Sequence, residues 1–220
     1  MIRKPELYNL DVNYGGTIED VDHHINLINE EFPTGCLFDM HSVIYNIAKK
    51  LKPENYLEVG TFCGRSMAIV LKASPETSGY GIDVWEPYAE LPTNSPELVL
   101  GVMKAVGIEK LPTFLAGLSC EMLPALWAEE KIPQKFELIL VDGDHSEEGA
   151  KKDLSMCIPR LADGGILVFH DISHPQLGYL ADVVLEFKRN LPDFLFIESY
   201  NRAGFCAMIK YPVPGWVLGI

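Results

Sequence analysis

From about residue 50 onward the chain alternates short apolar runs with longer amphipathic segments, and this alternation restricts the fold more than any other feature. The apolar runs are NYLEV, GYGIDV, PTFLAG, FELILVD and GGILVFHD; between them lie SMAIVLKAS, SPELVLGVMKAVG, CEMLPALWAEE and SEEGAKKDLSMCIPRLA. Strand-length runs separated by helix-length ones are the signature of βα units around a parallel sheet. The unbroken apolar character of LILV and ILVF suits strands covered on both faces. A helical segment near Leu177 to Asn190 then precedes DFLFIESY and GFCAMIKY, joined by the turn-prone NRAG, which predicts a closing antiparallel hairpin. Upstream, FDMHSVIYNIAKKL places apolar residues at helical spacing and ends in a lysine pair, a helix suited to packing on the sheet.

The first 35 residues are less regular, with loops at NYGG and EEFPTG and a short helix expected through IEDVDHHINLINEE. A chain of 220 residues, 48% hydrophobic and without repeat or composition shift, is expected to form one domain. Its 18 basic against 31 acidic side chains give a net charge of −13, which opposes binding to nucleic acid or an anionic membrane. The cysteines, Cys36, Cys63, Cys120, Cys157 and Cys206, form no CxxC pair, so neither a disulfide framework nor a zinc knuckle is expected. MIRKPELYNL lacks the apolar core of a signal peptide and no window reaches the roughly 18 apolar residues of a membrane span. A soluble cytoplasmic protein is the expectation.

In YLEVGTFCGRS the first strand reaches Glu58 and then a turn from Gly60 to Gly64, with a helix beginning near Ser66, a candidate cap. That turn falls at the carboxyl edge of the sheet, where open α/β sheets bind ligands. Its glycines allow close backbone approach, and the helix start offers free amides to an anion; the alternative is a strand-to-helix turn with no ligand. The spacing does not match the dinucleotide fingerprint GxGxxG, because Phe62 stands where a second glycine would face a pyrophosphate. Asp83 ends the next strand, 23 residues after Gly60, and a carboxylate there can accept both hydroxyls of a ribose. Nicotinamide enzymes share that acid, so Asp83 indicates an adenosine ligand without choosing the cofactor.

The fourth and fifth strands end in VDGDH and VFHD, so Asp142 and Asp171 emerge at the same edge. Two carboxylates about 4 Å apart repel by about 4 kcal/mol at an effective dielectric of 20, so such a pair favours a bound cation or a shared proton. Oxygen ligands suit Mg²⁺, Mn²⁺ or Ca²⁺, and His170 would move the balance towards a transition metal. His145 is the candidate general base, since an imidazole exchanges protons near neutrality; the alternative is a residue at the helix start bonded to Asp144 or backbone. His23, His24, His41 and His174 have no comparable context and read as surface or packing residues, the His23–His24 pair being a weak candidate for the site rim. The run SEEGAKKD reads as a solvated first helical turn.

The segments LEVGTFCGRS, GIDVW, LILVDGDHSEEGAKKDL and LADGGILVFHD follow one another as in class I S-adenosylmethionine (SAM) methyltransferases, and resemble the methyltransferase type 24 family with its cephalosporin hydroxylase-like and macrocin O-methyltransferase-like relatives. The resemblance spans about residues 37–210, leaving 1–36 as an N-terminal arm or lid and 211–220 as a tail. It implies a Rossmann-like, seven-stranded, mostly parallel sheet of order 3-2-1-4-5-7-6, with an antiparallel last strand and helices on both faces. It also implies a donor site of Glu58, Gly60, Thr61, Gly64, Ser66, Asp83, Val84, Ser119 and Asp142, with Val84 and Trp85 near the adenine and Ser119 at its edge. Asp142, His170 and Asp171 would hold Mg²⁺ or another divalent cation, with Asp142 and His145 catalytic. Two positions depart from the catechol-type pattern: His145 stands where those enzymes carry a catalytic lysine, and Ile172, which cannot ligate, where they carry an asparagine. The expected activity is O-methylation of a small molecule or sugar. Two alternatives remain open: a NAD-type oxidoreductase, and a non-catalytic SAM- or nucleotide-binding module. Tyr8, Tyr14 and Phe32 would give the arm the aromatic content of a lid or a homodimer contact.

Overall fold

The computed structural model describes residues 39–86 and 95–218. The expectations for the N-terminal arm, including its short helix, Tyr8, Tyr14, His23, His24 and Phe32, fall outside these residues. The described chain opens with α1 (Met40–Leu51), capped by the Asp39 carboxylate, which accepts the Ser42 amide at 2.8 Å. Lys49 and Lys50 lie in its last turn, and Lys52, at φ 50°, ends it. The elements then alternate: β1 (Asn55–Val59), α2 (Arg65–Ala73), β2 (Ser78–Asp83), α3 (Pro96–Ala105), β3 (Thr113–Ala116), α4 (Ser119–Ala128), β4 (Phe136–Val141), α5 (Glu147–Cys157) and β5 (Leu161–His170). After them come α6 (Tyr179–Asn190), β6 (Phe194–Ser199), β7 (Phe205–Lys210) and the short α7 (Gly215–Leu218).

The helix expected to run to Ala162 stops at Cys157. Pro159 has no amide to continue the ladder, so the chain makes a 3₁₀ turn over Ile158–Arg160 and enters β5 at Leu161. Among the described residues the strands form one sheet in the order β3-β2-β1-β4-β5-β7-β6. The first five strands run parallel, and only β7 is reversed, antiparallel to both β5 and β6. The implied fold is therefore the observed one.

Side-chain alternation divides the core into two layers. Tyr56, Leu138, Leu140, Ile166 and Val168 face one side and pack with residues of α1, α2 and α3. Leu57, Val59, Ile139, Val141, Leu167 and Phe169 face the other, against α4, α5 and α6. Helices cover both faces, which accounts for the continuous apolar strands. The register places Val59 beside Ile82 and Val141, and Val141 beside Phe169, so β1, β2, β4 and β5 end level at one edge. No helix among the described residues is long and apolar enough to cross a membrane.

Candidate functional site

At that shared edge two turns touch. Gly60 stands at φ +87°, and a Cβ built on it would lie 1.9 Å from the Asp142 carbonyl oxygen. The Asp142 amide donates to the Val59 carbonyl at 2.8 Å, and the Gly60 amide to the Ile82 carbonyl at 2.9 Å. The glycine that sequence reasoning assigned to a ligand turn is thus required by the approach of the β4 loop. Gly64, at φ 75°, occupies the cap position of α2; Ser66 does not cap the helix as expected. Its hydroxyl turns beneath the turn and donates to Glu58 Oε1 at 2.6 Å, while Tyr56 Oη donates to Oε2 at 2.7 Å. Glu58 is fully buried, so its carboxylate supports the turn from below instead of lining its surface. Burial pushes its carboxyl up to about 8, against the two hydroxyl hydrogen bonds, which favour the ionised form. Thr61 is also buried, its hydroxyl 3.5 Å from the Ile82 carbonyl oxygen.

Asp83 is clamped at the end of β2. Its Oδ2 accepts the Phe62 amide at 2.7 Å and its Oδ1 the Trp85 amide at 2.9 Å, leaving each oxygen capacity for a further donor. Val84 is exposed at this edge. Trp85, expected beside the base, turns inward instead: it is buried, its Nε1 donates to the Leu115 carbonyl at 3.0 Å, and its ring meets Phe114 edge-on. The Gly117 amide donates to the Asp83 carbonyl at 2.9 Å, which sets the loop before Ser119 against Asp83.

On the other side of the Gly60 turn, β4 and β5 bring four titratable groups together. Asp142 Oδ1 lies 3.2 Å from His145 Nε2 and 3.1 Å from His170 Nδ1. Asp171 completes the cluster, with Oδ2 3.3 Å from His145 Nε2 and Oδ1 3.3 Å from His170 Nδ1. His145 therefore bonds to Asp142, not to Asp144. Two imidazoles set between two carboxylates relieve the repulsion expected of the acids alone. Burial by itself would raise Asp142, but His170 and His145 outweigh it and hold its carboxyl below the ordinary range. Burial raises Asp171, with the neighbouring imidazoles opposing. His170 is pushed up to about 9 because Asp142 and Asp171 overcome its burial, and His145 is raised chiefly by its hydrogen bond to Asp142. One donor atom each from Asp142, His170 and Asp171 falls within 4.8 Å of the others, a set of oxygen and nitrogen ligands that fits a divalent cation. Asp171 adopts φ 63°, a conformation that non-glycine residues hold only when the surroundings enforce it.

Two contributors were not recognised in the sequence. Tyr179, at the start of α6, donates its hydroxyl to the His145 carbonyl at 2.7 Å and pins the loop that carries the imidazole. Asp153 belongs to the run read as solvated. Glu147, Glu148, Lys151 and Lys152 do form exposed i,i+4 pairs, but Asp153 is only 2% exposed and accepts the Ser119 hydroxyl at 2.6 Å. The signal was present: Gly149, Ala150, Asp153, Leu154 and Cys157 share the buried stripe of α5. Cys120, Cys157 and Cys206 are free thiols.

A family model described as a methyltransferase domain matches residues 57–172, the segment from β1 to just past Asp171. No curated protein sequence matches the chain. Among solved structures, the chain is similar to an O-methyltransferase from Bacillus cereus in complex with SAH, at 13% identity and a TM-score of 0.63, over 91% of this chain and 93% of that one. It is similar to TomG of Streptomyces achromogenes, an O-methyltransferase involved in tomaymycin synthesis and solved with SAM, at 17% identity and a TM-score of 0.62, over 91% and 92%. A third is SAH-bound methyltransferase PaMTH1 of Podospora anserina, at 15% identity and a TM-score of 0.58, over 87% and 88%. At these identities the likeness is one of fold.

Proposed function

The chain belongs to the methyltransferase-domain family of type 24, and from that premise we propose that it transfers the sulfonium methyl of SAM to a hydroxyl of a small molecule or sugar. One observation carries the reading: the Gly60 turn and the cluster of Asp142, His145, His170 and Asp171 are in backbone contact, so a donor on the turn and an acceptor at the acids would be neighbours. The solved neighbours that hold SAM or SAH on the same fold support the choice of donor.

In this reading Asp83 takes the ribose hydroxyls, and the N-terminus of α2 faces the carboxylate of the donor's amino-acid part. Glu58 and Ser66 hold that helix start in place from beneath. Asp142, His170 and Asp171 would hold Mg²⁺ or another divalent cation, which when bound lowers the pKa of an acceptor hydroxyl and orients it. His145 Nε2, on a side chain 42% exposed, is paired with both acids and holds its proton more tightly than an ordinary imidazole, so it is the group placed to take the acceptor's proton only in its neutral form. Holding both reactants on two turns in contact supplies the orientation on which methyl transfer depends. The same reading carries a single-domain cytoplasmic enzyme, acting on small molecules and not on nucleic acid or membranes, with residues 1–36 as a lid or homodimer contact.

Calorimetric titration with SAM, SAH and NAD, followed by methyl transfer to a panel of hydroxylated acceptors with and without EDTA, tests the proposal. SAM and SAH should bind and NAD should not; binding of NAD alone would sink the reading, and binding of SAM without transfer to any acceptor would favour a non-catalytic module. Asp142→Ala should reduce turnover by about 100-fold or more. Undiminished activity in both EDTA and Asp142→Ala would remove the metal role.

A further inference from the structure

Asp153 is a buried acid used neither by the Gly60 turn nor by the cluster around Asp142. Its Oδ1 accepts the Ser119 hydroxyl at 2.6 Å, and its Oδ2 lies 3.4 Å from the Asp144 amide. These partners belong to different loops: Ser119 opens α4 just after β3, and Asp144 follows β4. Gly143 has no side chain to intervene, and a Cβ there would stand 2.9 Å from Asp153 Oδ2. Leu123 and Trp127 of α4 and Ala150 and Leu154 of α5 pack in one buried layer, so Asp153 sits beneath both loops and ties them together. The β3 loop is also anchored to β2, since the Gly117 amide bonds to the carbonyl of Asp83. A nucleoside whose ribose rests on Asp83 therefore has the β3 loop, with Ser119 two residues beyond Gly117, beside it.

We propose that Asp153 is a positioning residue for the nucleobase of the methyl donor: it claims the Ser119 hydroxyl hydrogen and leaves Ser119 Oγ as an acceptor for the 6-amino group of adenine. The inference rests on the donor reading above and adds a specificity device to it. A hydroxyl is ordinarily ambivalent, able to rotate and either donate or accept. With its hydrogen held on a carboxylate, it can only accept, so a 6-oxo purine, which presents an acceptor at the same place, leaves two acceptors facing each other. A site built to pair with a donor rejects the analogue that lacks it.

The test compares SAH with S-inosylhomocysteine, which carries a 6-oxo group and an N1–H in place of the 6-amino group and bare N1, by calorimetry on the full chain. Wild type should prefer SAH by about 10- to 100-fold, the range expected when one buried hydrogen-bonding group is left unpaired. Asp153→Ala and Ser119→Ala should both bring the ratio close to one, while Ser119→Thr, which keeps the hydroxyl, should preserve it. Circular dichroism checks folding; Ser119 is partly exposed, so Ser119→Ala decides the matter if Asp153→Ala does not fold. A purely structural role for Asp153 would weaken both ligands alike and leave the ratio at the wild-type value, which overturns the proposal. Equal binding of the two ligands by wild type also overturns it and leaves the methyltransferase reading intact. Wild type that binds neither SAH nor SAM removes both.

Discussion

Replacing Glu58 by Gln should make the protein respond to pH in the opposite sense from an ordinary carboxylate deletion. Glu58 is fully buried, and its carboxyl is raised from 4.5 to about 8, with burial the largest cause. Below pH 4.5 the group is protonated in both folded and unfolded chains and contributes no pH dependence. As the pH rises through 4.5 the unfolded chain releases the proton while the folded chain keeps it until about 8, so stability falls across that window and the loss is complete above it. With these two values the loss between about pH 5 and 7 is about 2.5 kcal/mol. For a chain of this size that corresponds to about 5–10 °C in melting temperature. Gln reproduces the protonated acid, with one acceptor and one donor for the hydroxyls of Tyr56 and Ser66, and does not titrate. Thermal melts of wild type and Glu58→Gln from pH 5 to 8 isolate the effect, because the other acids cancel in the difference. The variant should gain on wild type by that amount between pH 5 and 7. A difference that stays flat would mean that the two hydroxyls hold the carboxylate ionised in the folded state, and the burial argument would be wrong.

Gly60→Ala should cost about 3 kcal/mol in urea unfolding, since it combines a positive φ with a Cβ pressed against the Asp142 carbonyl; an unchanged midpoint would show that the two turns can separate freely. Tyr179→Phe should lose about 1 kcal/mol of stability with the hydrogen bond to the His145 carbonyl, and should lower kcat while leaving the KM for SAM unchanged. Equal kcat in wild type and Tyr179→Phe would mean that the His145 loop holds itself.

The strands and most helices were legible because local backbone geometry writes them into hydrophobic period: NYLEV is β1 to the residue, and FELILVD overruns β4 by one. The strand order came from the resemblance to the methyltransferase family, and parallel βα units bring strand ends to one edge, so Gly60, Asp83, Asp142 and Asp171 could be placed at one crevice from the sequence. What local pattern cannot carry is the direction a side chain takes when two neighbours compete for it. Ser66 reads as a cap, yet the helix starts one residue earlier with Gly64 at the cap position, and the hydroxyl turns to Glu58 because a buried carboxylate needs donors. Trp85 leaves the base edge for Phe114 and the Leu115 carbonyl, where burial of a large ring outweighs exposure beside a crevice. Asp153 was misread because its charge suggested solvent, although its helical position lay on the buried stripe and its partner Ser119 is 34 residues away. The sequence by itself determined the sheet, the edge and the residue types delivered to it. The tertiary structure alone decided that both imidazoles lie between the two acids and that Asp153 joins two loops, because those contacts exist only once parallel strands and the helices above them have brought distant segments to the same edge.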